Sequence, residues 1–131
     1  MINERYSRQA DIVPRQRILD YKVTVIGVGA VGRQVAIQLT AIGVPALQLI
    51  DFDHVDISNL PTQGYRQKDL NQPKVNVTAQ FCREINSDLQ VEVIPDRFKR
   101  TTPVGNAIFC CVDKIDVRRH IWNTVKDKVS F

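Results

Sequence analysis

The chain has 131 residues, 44% hydrophobic and 24% charged, a composition that is typical of one folded domain and excludes intrinsic disorder. Its 18 basic and 14 acidic residues give a net charge of +4, which suits an anionic ligand such as a nucleotide, and the chain lacks the long basic run expected of a nucleic-acid-binding protein. No apolar run is as long as a transmembrane helix and no apolar signal core opens the chain, so the sequence predicts a soluble, cytoplasmic protein without a membrane partner.

Strand-like and helix-like segments alternate in the first half of the chain. Lys22–Gly27 is β-branched and apolar, as in a buried strand, and Ala46–Asp51 is interpreted as the second strand. Between them, Ala30–Ile42 has helical periodicity and is followed by Gly43, a residue suited to a helix C-terminus. Its predicted apolar face consists of Val31, Val35, Leu39 and Ile42. A polar, aspartate-rich loop is expected over residues 52–71.

The second half of the chain continues the alternation. Pro73 is suited to a first helical position, and the helix that it opens is expected to reach about Asn86. One face of this helix would carry Val75, Ala79, Cys82 and Ile85. The remaining predicted elements are strands at Gln90–Ile94 and Asn106–Val112, a helix from Ile115 to about Lys126 with Ile121 and Val125 buried, and the opening of a strand at Val129–Phe131.

This order of elements predicts an α/β fold, a Rossmann-like parallel sheet with helices on both faces, formed by one domain over residues 1–131. An apolar strand that barely begins is an unusual end for a domain, so we interpret the chain as part of a longer protein, truncated on its C-terminal side. The three cysteines, Cys82, Cys110 and Cys111, lack CxxC spacing, which argues against a zinc site or disulfides and favours a reducing compartment. At least one of the adjacent pair is expected to fill the core.

A glycine-rich segment follows the first predicted strand. Gly27-Val28-Gly29-Ala30-Val31-Gly32 fits G-x-G-x-x-G between a strand and a helix, and Asp51 lies 24 residues after Gly27. Gly27 permits a tight turn, Gly29 lets phosphate approach the backbone, and Gly32 allows close helix packing. The helix N-terminus attracts phosphate, and Asp51 can accept hydrogen bonds from a ribose. The pattern predicts a nucleotide without specifying which one; turn, packing or cap roles for these residues are the alternative.

The segment after this aspartate is more specific. It reads Asp51-Phe52-Asp53-His54-Val55-Asp56-Ile57-Ser58-Asn59-Leu60-Pro61-Thr62-Gln63 and resembles the Asp-x-Asp-x-Val-x-x-Ser-Asn-Leu-x-Arg-Gln signature of the ThiF, MoeB and ubiquitin-activating-enzyme family. Four further segments resemble the family in order and spacing: Arg5-Tyr6-Ser7-Arg8-Gln9, the glycine loop, Gln72-Pro73-Lys74, and Cys111-Val112-Asp113-Lys114-Ile115-Asp116-Val117-Arg118. The resemblance covers essentially the whole chain.

The resemblance implies an ATP-dependent adenylyltransferase that uses Mg²⁺. Its partner would be a ubiquitin-like or sulfur-carrier protein whose C-terminal glycine carboxylate attacks the α-phosphate of ATP, so that an acyl-adenylate forms and pyrophosphate leaves. The chemistry needs cations around the phosphoryl group and a positioned metal. A homodimer is also implied, because in several relatives a phosphate-binding arginine comes from the partner subunit.

The resemblance also assigns site residues. Gly27, Gly29 and Ala30 would line the nucleotide loop, Asp51 would hold the ribose, and Ser58 and Asn59 would contact the nucleotide. Catalytic roles fall to Arg8 and Lys74 near the phosphates and to Asp113, which would hold magnesium with Lys114 beside it in the nucleotide site. Taken singly, Arg8 and Lys74 would be surface residues, Asp113 a helix N-cap and Asn59 a turn residue. His54 and His120 have no partners at ligand spacing and receive no metal role.

Two departures from the family bear on activity. Thr62 stands where the signature has arginine, and a hydroxyl cannot make the bidentate contacts that arginine makes with phosphate. Arg66, four residues further on, is a candidate replacement. The thioester-forming cysteine, the substrate-clamping crossover loop and the CxxC zinc motifs of relatives are not in this chain, so we expect it to bind ATP weakly by itself and to form no thioester.

Three alternative functions stay open at this point. An NAD-dependent oxidoreductase would share the glycine loop and Asp51. A non-catalytic scaffold subunit of the same family is favoured by Thr62. A member of the family that adenylates a small molecule or a modified tRNA base is also compatible with the motifs.

Overall fold

The computed structural model of the protein describes residues 4–131. Its centre is a parallel sheet with the strand order β3-β2-β1-β4. The strands are β1 at Lys22–Ile26, β2 at Ala46–Ile50, β3 at Gln90–Ile94 and β4 at Ala107–Cys110. This is the order of one half of a dinucleotide-binding fold with the first strand of the next half added, and it confirms the predicted Rossmann-like architecture.

Helices cover both faces of this sheet, as the sequence predicts. They are α1 at Arg15–Ile18, α2 at Ala30–Ile42, α3 at Asn59–Gln63, α4 at Lys74–Ile85 and α5 at Ile115–Val125, with 3-10 turns at Glu4–Gln9 and Gln67–Asp69. Successive strand residues point to opposite faces. Val25 and Leu49 therefore pack with residues of α2 and α4, whereas Ile26 and Ile50 pack with Ile121 and Val125 of α5.

The buried stripe of α2 differs from the predicted one. Val35, Leu39 and Ile42 pack against the core, but Val31 is 63% exposed, so its predicted burial is wrong. The fully buried positions are Gly32, Arg33, Ala36 and Thr40, which recur at helical spacing and place one charged side chain inside. The helix ends as predicted at Gly43, whose φ of +100° favours glycine.

Two other expectations need correction. The predicted loop 52–71 contains α3 and a 3-10 turn, because the apolar residues Val55 and Tyr65 bury themselves against Val77 of α4. The strand predicted at Asn106–Val112 is shorter in the structure, where β4 covers Ala107–Cys110. Because β4 lies at the edge of the four-stranded sheet, Phe109 and Cys110 are exposed. Backbone bonds from Ser130 to Asn106 and from Ile108 to Phe131 pair the chain end with β4, although no strand is assigned there.

The sheet interior contains one polar bridge. The Thr24 hydroxyl donates to Gln48 Oε1 at 2.6 Å, and Gln48 Nε2 donates to the Pro103 carbonyl at 2.8 Å. The backbone N–H of Gly105 in turn donates to Thr24 Oγ1 at 2.9 Å. Because Thr24 and Gln48 lie on adjacent central strands, this bridge fixes the segment that leads into β4 against the face covered by α5.

None of the helices formed by residues 4–131 combines the length and the apolar character that a membrane crossing requires.

Gln48→Leu should lower the free energy of unfolding by about 1–3 kcal/mol, because it removes the buried acceptor of the Thr24 hydroxyl and the donor to the Pro103 carbonyl. Urea denaturation measures the change. Gln90→Leu, in an exposed position of β3, is the matched control and should change stability by no more than about 0.5 kcal/mol. Equal losses in the two variants would contradict the bridge's contribution.

Candidate functional site

The candidate site lies at the carboxyl edge of the sheet, at the point between β1 and β4 where the strand order reverses. From β1 the chain first continues to β2 and β3 on one side and then returns to β4 on the other. Parallel sheets bind ligands in the crevice at such a switch point. The loops after β1 and β4 meet here, since a Cβ placed on Gly27 would lie 3.1 Å from the carbonyl carbon of Cys111 and from the side chain of Val112.

The three glycines of the loop after β1 serve different purposes. Gly27 has φ +90°, which favours glycine. A Cβ on Gly32 would overlap the carbonyl oxygen of Gly27, so this glycine is needed for packing. A Cβ on Gly29 would meet nothing nearer than the Gln63 amide at 3.5 Å, an ordinary contact. Packing therefore does not require glycine at position 29, and the predicted close approach of a phosphate to this glycine stays a prediction.

Asp51 connects the loop after β1 to the loop after β2. Its Oδ2 accepts a hydrogen bond from the backbone N–H of Val28 at 2.9 Å, and its Oδ1 accepts one from the N–H of Asp53 at 2.8 Å. A carboxylate oxygen has lone pairs for more than one donor, so both oxygens keep capacity for further hydrogen bonds. The predicted ribose role is compatible with this arrangement and stays a prediction.

The signature loop is organised by its own side chains. Asp56 Oδ1 accepts from both the N–H and the hydroxyl of Ser58 at 2.9 Å, and these two bonds, the backbone one first, hold the pKa of Asp56 below its usual value. Asn59 Oδ1 accepts from the N–H of Asp56 at 2.8 Å, and Thr62 donates to the Ser58 carbonyl at 2.7 Å. Ser58 and Asn59 thus make turn contacts here, and their predicted nucleotide contacts remain untested.

Lys74 is the predicted site residue whose surroundings are most unusual. Its side chain is at the first turn of α4 and the residue is only 5% exposed, which contradicts the alternative that it is a solvated surface lysine. Its Nζ lies 3.9 Å from Asp53 Oδ2, and its backbone N–H donates to the Asp53 carbonyl. Hydrogen bonds therefore run continuously from Val28 through Asp51 and Asp53 to Lys74.

Asp113 and Lys114 lie in the loop after β4, beside the glycine loop. Both residues are exposed, as is Ala30 at the opening of α2. The N-cap position of α5 is occupied by Lys114 rather than Asp113, so the alternative that Asp113 caps this helix is wrong. One carboxylate with phosphate oxygens is a sufficient protein contribution to a magnesium site. Within residues 4–131 no group of three or more candidate ligands forms a metal cluster by itself.

Arg8 is not brought to this group. It is an exposed residue of the 3-10 turn Glu4–Gln9, which packs at the other end of α2: Gln9 Nε2 donates to the Ile42 carbonyl at 2.8 Å. Since α2 is 13 residues long, its two ends are about 20 Å apart at 1.5 Å per residue. An arginine at this end is too far away to reach the glycine loop of its own subunit, and the predicted contribution of Arg8 from a partner subunit stays a prediction.

Sequence reasoning missed two residues next to the site. Tyr65 is buried, and its hydroxyl donates to the Val28 carbonyl at 2.5 Å, so the ring reaches the glycine loop; burial raises the pKa of Tyr65 to about 12. Arg33 is 6% exposed, with its guanidinium 5.3 Å from the Tyr65 ring centroid. The signal for Arg33 was its position in one helical stripe with Gly32, Ala36 and Thr40.

The cysteines give no evidence of a nucleophile. Cys82 is fully buried in α4, and desolvation raises the pKa of its thiol. Desolvation also raises the pKa of Cys111, which packs against the core, whereas Cys110 is exposed. The expectation that at least one of the adjacent pair fills the core is confirmed by Cys111.

Comparison with known proteins identifies relatives of this chain. A model of the ThiF family matches residues 6–128. The chain is 33% identical over 128 residues to the sulfur carrier protein ThiS adenylyltransferase of Escherichia coli, a match that covers 89% of this chain and 51% of that protein. It is 28% identical over 128 residues to the molybdopterin-synthase adenylyltransferase of Haemophilus influenzae, covering 89% and 53% respectively. The chain thus spans about half the length of these relatives.

A solved structure has the same fold. The crystal structure of E. coli tRNA N6-threonylcarbamoyladenosine dehydratase, TcdA, in complex with ATP superposes with a TM-score of 0.84 over 98% of this chain and 59% of that chain. The two sequences are 23% identical, so this similarity establishes the fold and leaves the ligand and the reaction to be argued from this chain's own residues.

Gly29→Ala should leave the fold intact and weaken nucleotide binding, because its Cβ has room in the structure but would stand where a phosphate approaches the backbone. We expect a stability loss of no more than about 1 kcal/mol. Gly32→Ala, the matched control, should destabilise the protein severely, since its Cβ overlaps the Gly27 carbonyl. Thermal melting with and without ATP measures both effects; unchanged ATP binding by Gly29→Ala would contradict the assignment.

Cys110 should react with iodoacetamide well before Cys82, because it is exposed whereas the thiol of Cys82 is buried and its raised pKa leaves little thiolate. Mass spectrometry of the digested protein gives the order of labelling. Denatured protein, in which all three thiols are accessible, is the control. Early labelling of Cys82 would show that α4 opens and would contradict the burial of this thiol in the core.

Proposed function

Because the chain belongs to the ThiF family, whose model matches residues 6–128, we propose that the protein is an adenylyltransferase that uses ATP to activate the C-terminal carboxylate of a ubiquitin-like or sulfur-carrier protein. The E. coli and H. influenzae relatives named above are both adenylyltransferases, which supports this class of reaction. The proposal covers the whole protein, since the chain spans about half the length of those relatives.

The observation that carries the proposal is the hydrogen-bonded connection from the glycine loop through Asp51 and Asp53 to the buried Lys74. Burial removes the Lys74 ammonium group from water, which costs free energy. The carboxylate oxygen of Asp53, 3.9 Å away, offsets this desolvation cost only in part. Phosphate oxygens would complete the pairing of Lys74. The pyrophosphate of NAD offers the same kind of oxygens, so the choice between ATP and NAD is made by the melting experiment below.

The proposal gives each of the chain's own site residues a role in this reaction. The N-terminus of α2, opened by Gly29 and Ala30, offers N–H groups to phosphate, with Gly27 forming the turn before it, and Asp51 accepts from the ribose. Ser58, Asn59 and Lys114 are the further nucleotide contacts of the proposal. Lys74 stabilises the negative charge that builds on the phosphates as the carboxylate attacks and pyrophosphate leaves.

Magnesium is part of the proposal. The exposed carboxylate of Asp113, beside the glycine loop, is the oxygen ligand that suits Mg²⁺ together with phosphate oxygens. When bound, the metal would neutralise phosphate charge during the reaction. Asp113 would hold and orient it.

The assembly and its location are proposed on separate grounds. Arg8 lies at the end of α2 remote from the glycine loop, so a phosphate contact from this arginine requires a second copy, and we include a homodimer in the proposal. A cytoplasmic location is supported by the three free thiols of Cys82, Cys110 and Cys111, which suit a reducing compartment.

A scaffold subunit without catalytic activity is the second candidate. It is favoured by Thr62, whose hydroxyl is used on the Ser58 carbonyl and brings no charge to the site. A scaffold subunit would not exchange labelled pyrophosphate into ATP even when a carrier protein is supplied, and this measurement separates the two functions.

Lys74→Met should weaken ATP binding about ten- to a hundredfold, the effect of losing one charge-assisted phosphate contact. ATP with magnesium should raise the melting temperature of the wild-type protein, NAD should not, and the Lys74→Met protein should respond little to ATP. Lys68→Met, at an exposed lysine of the neighbouring 3-10 turn, is the control and should behave like wild type. Stabilisation of the wild type by NAD but not by ATP would contradict the proposal.

Exchange of labelled pyrophosphate into ATP should depend on a small sulfur-carrier protein that ends in glycine, and should stop when that glycine is removed. The reason is that the carboxylate of this residue forms the acyl-adenylate. Asp113→Asn should reduce the exchange by about a hundredfold or more, since it removes a charge from the metal site. Exchange without any carrier, or with the shortened one, would contradict the proposed substrate.

A further inference from the structure

Arg33 is a charged residue of the site that the proposed roles do not use. It is only 6% exposed, yet no carboxylate among residues 4–131 lies within 4.0 Å of its guanidinium, and its Nε has no hydrogen-bond partner in the described chain. A buried charge without a partner is unfavourable, and proteins normally pair it. The described part of the chain therefore leaves this guanidinium without a counter-charge.

The place of Arg33 in α2 directs it to the phosphate end of the helix. It is the fourth residue of α2, and its backbone N–H donates to the Gly29 carbonyl at 3.1 Å. Cα–Cβ bonds in a helix tilt toward the N-terminus, so a side chain at this position covers the first turn. That turn is the one that the glycine loop opens for a phosphate.

Aromatic rings hold the guanidinium in this layer. Its Cζ lies 5.3 Å from the Tyr65 ring centroid and 5.1 Å from that of Phe81, and an Nη atom lies 3.3 Å from a Cβ placed on Gly64. Tyr65 reaches the Val28 carbonyl through its hydroxyl. Rings stabilise a cation without using its N–H donors, so the fork of the guanidinium stays available for an anion.

The segment that lies against the glycine loop contributes a second unused group. The side-chain amide of Gln63 lies beside Gly29, and its buried Oε1 has no hydrogen-bond partner among residues 4–131. The layer between the glycine loop and α4 thus contains one buried donor without a partner, Arg33 Nε, and one buried acceptor without a partner, Gln63 Oε1, among residues 4–131. The Gln63 amide lies next to Gly29, the glycine that packing does not require.

The neighbouring residues cannot supply this charge. Thr62 is neutral and bonds to the Ser58 carbonyl. Arg66 is paired with the buried Asp69 through Nε at 3.1 Å, and the backbone N–H of Arg66 donates to the same carboxylate. Using Arg66 on a phosphate would break this pair and leave Asp69 buried without a counter-charge.

We infer that Arg33 supplies the phosphate-binding guanidinium that the family signature places at position 62, and that its ligand is the pyrophosphate portion of ATP. This inference rests on the proposed function. The α-phosphate must stay open to the attacking carboxylate, whereas the pyrophosphate portion can be enclosed, and a buried guanidinium suits the enclosed group. Arg33 binds the leaving group and disperses its charge.

Arg33→Met tests this assignment, because methionine keeps apolar contact with the rings of Tyr65 and Phe81 and removes the charge. Calorimetric affinities for ATP and for inorganic pyrophosphate should fall about ten- to a hundredfold, while the affinity for AMP should stay within about twofold of wild type. The melting temperature without nucleotide should not fall, since an unpaired buried charge is removed. A purely structural role predicts a lower melting temperature and parallel losses for ATP and AMP.

Two further variants complete the test. Arg66→Met, which removes a guanidinium lying 5.5 Å from the same Phe81 ring, is the matched control: it should lower the melting temperature, because Asp69 loses its counter-charge, and leave pyrophosphate affinity unchanged. Thr62→Arg added to Arg33→Met should restore pyrophosphate affinity, and no recovery would contradict the exchange of roles. If Arg33→Met does not fold, Arg33→Lys, which keeps a charge but loses the fork, makes the same comparison: selective loss of pyrophosphate binding supports the inference, and parallel or absent loss overturns it.

The outcomes separate this inference from the proposed function. A whole wild-type protein, tested with its complete sequence, that does not bind ATP contradicts the proposed function itself. If the wild-type protein binds ATP and the Arg33→Met variant binds ATP and pyrophosphate with wild-type affinity, only the role of Arg33 is contradicted.

Discussion

The rest of the site depends on the two hydrogen bonds that the carboxylate of Asp51 accepts. Its two oxygens accept one N–H from the glycine loop and one from the signature loop, so the ends of β1 and β2 are held in a fixed relation. The signature loop then positions Lys74 through the backbone of Asp53. Asp51 thereby joins two loops that follow different strands into one surface. A ligand that binds to this surface meets groups that are already ordered.

The sequence was sufficient for the fold because its signals are local. Ala30–Ile42 and Gln90–Ile94 have the predicted bounds, and the strand–glycine loop–helix order placed the site at the carboxyl edge. Burial was harder to predict, because it depends on which elements pack together. Val31 lies outside the buried stripe, and Phe109 lies on an edge strand. Lys74 and Arg33 are charged residues that polarity alone assigns to the surface, and only tertiary packing reveals their burial.

The signature loop shows how a motif can keep its shape while its chemistry changes. Asp56, Ser58 and Asn59 bond to one another and form the turn that leads into α3, and none of these bonds requires an arginine at position 62. Thr62 fits the turn with a bond to the Ser58 carbonyl. The geometry of the loop and the charge that it presents are therefore separable, and a cation for the phosphates can come from a different element, the buried face of α2.

The pairing of β1 with β4 has a consequence for how the sheet assembles. The hydrogen bond from Lys22 to Asn106 spans 84 residues, whereas the bond between Thr24 and Gln48, on β1 and β2, spans 24. The entropy lost in closing a loop grows with its length, and contacts that are distant in sequence form late in folding. β4 is therefore the strand that joins the sheet against the greatest entropic resistance. A nucleotide bound across the ends of β1 and β4 would contact the two adjacent strands that are farthest apart in the sequence. Nucleotide binding would then stabilise the pairing of β4 with β1, and this pairing would in turn strengthen nucleotide binding.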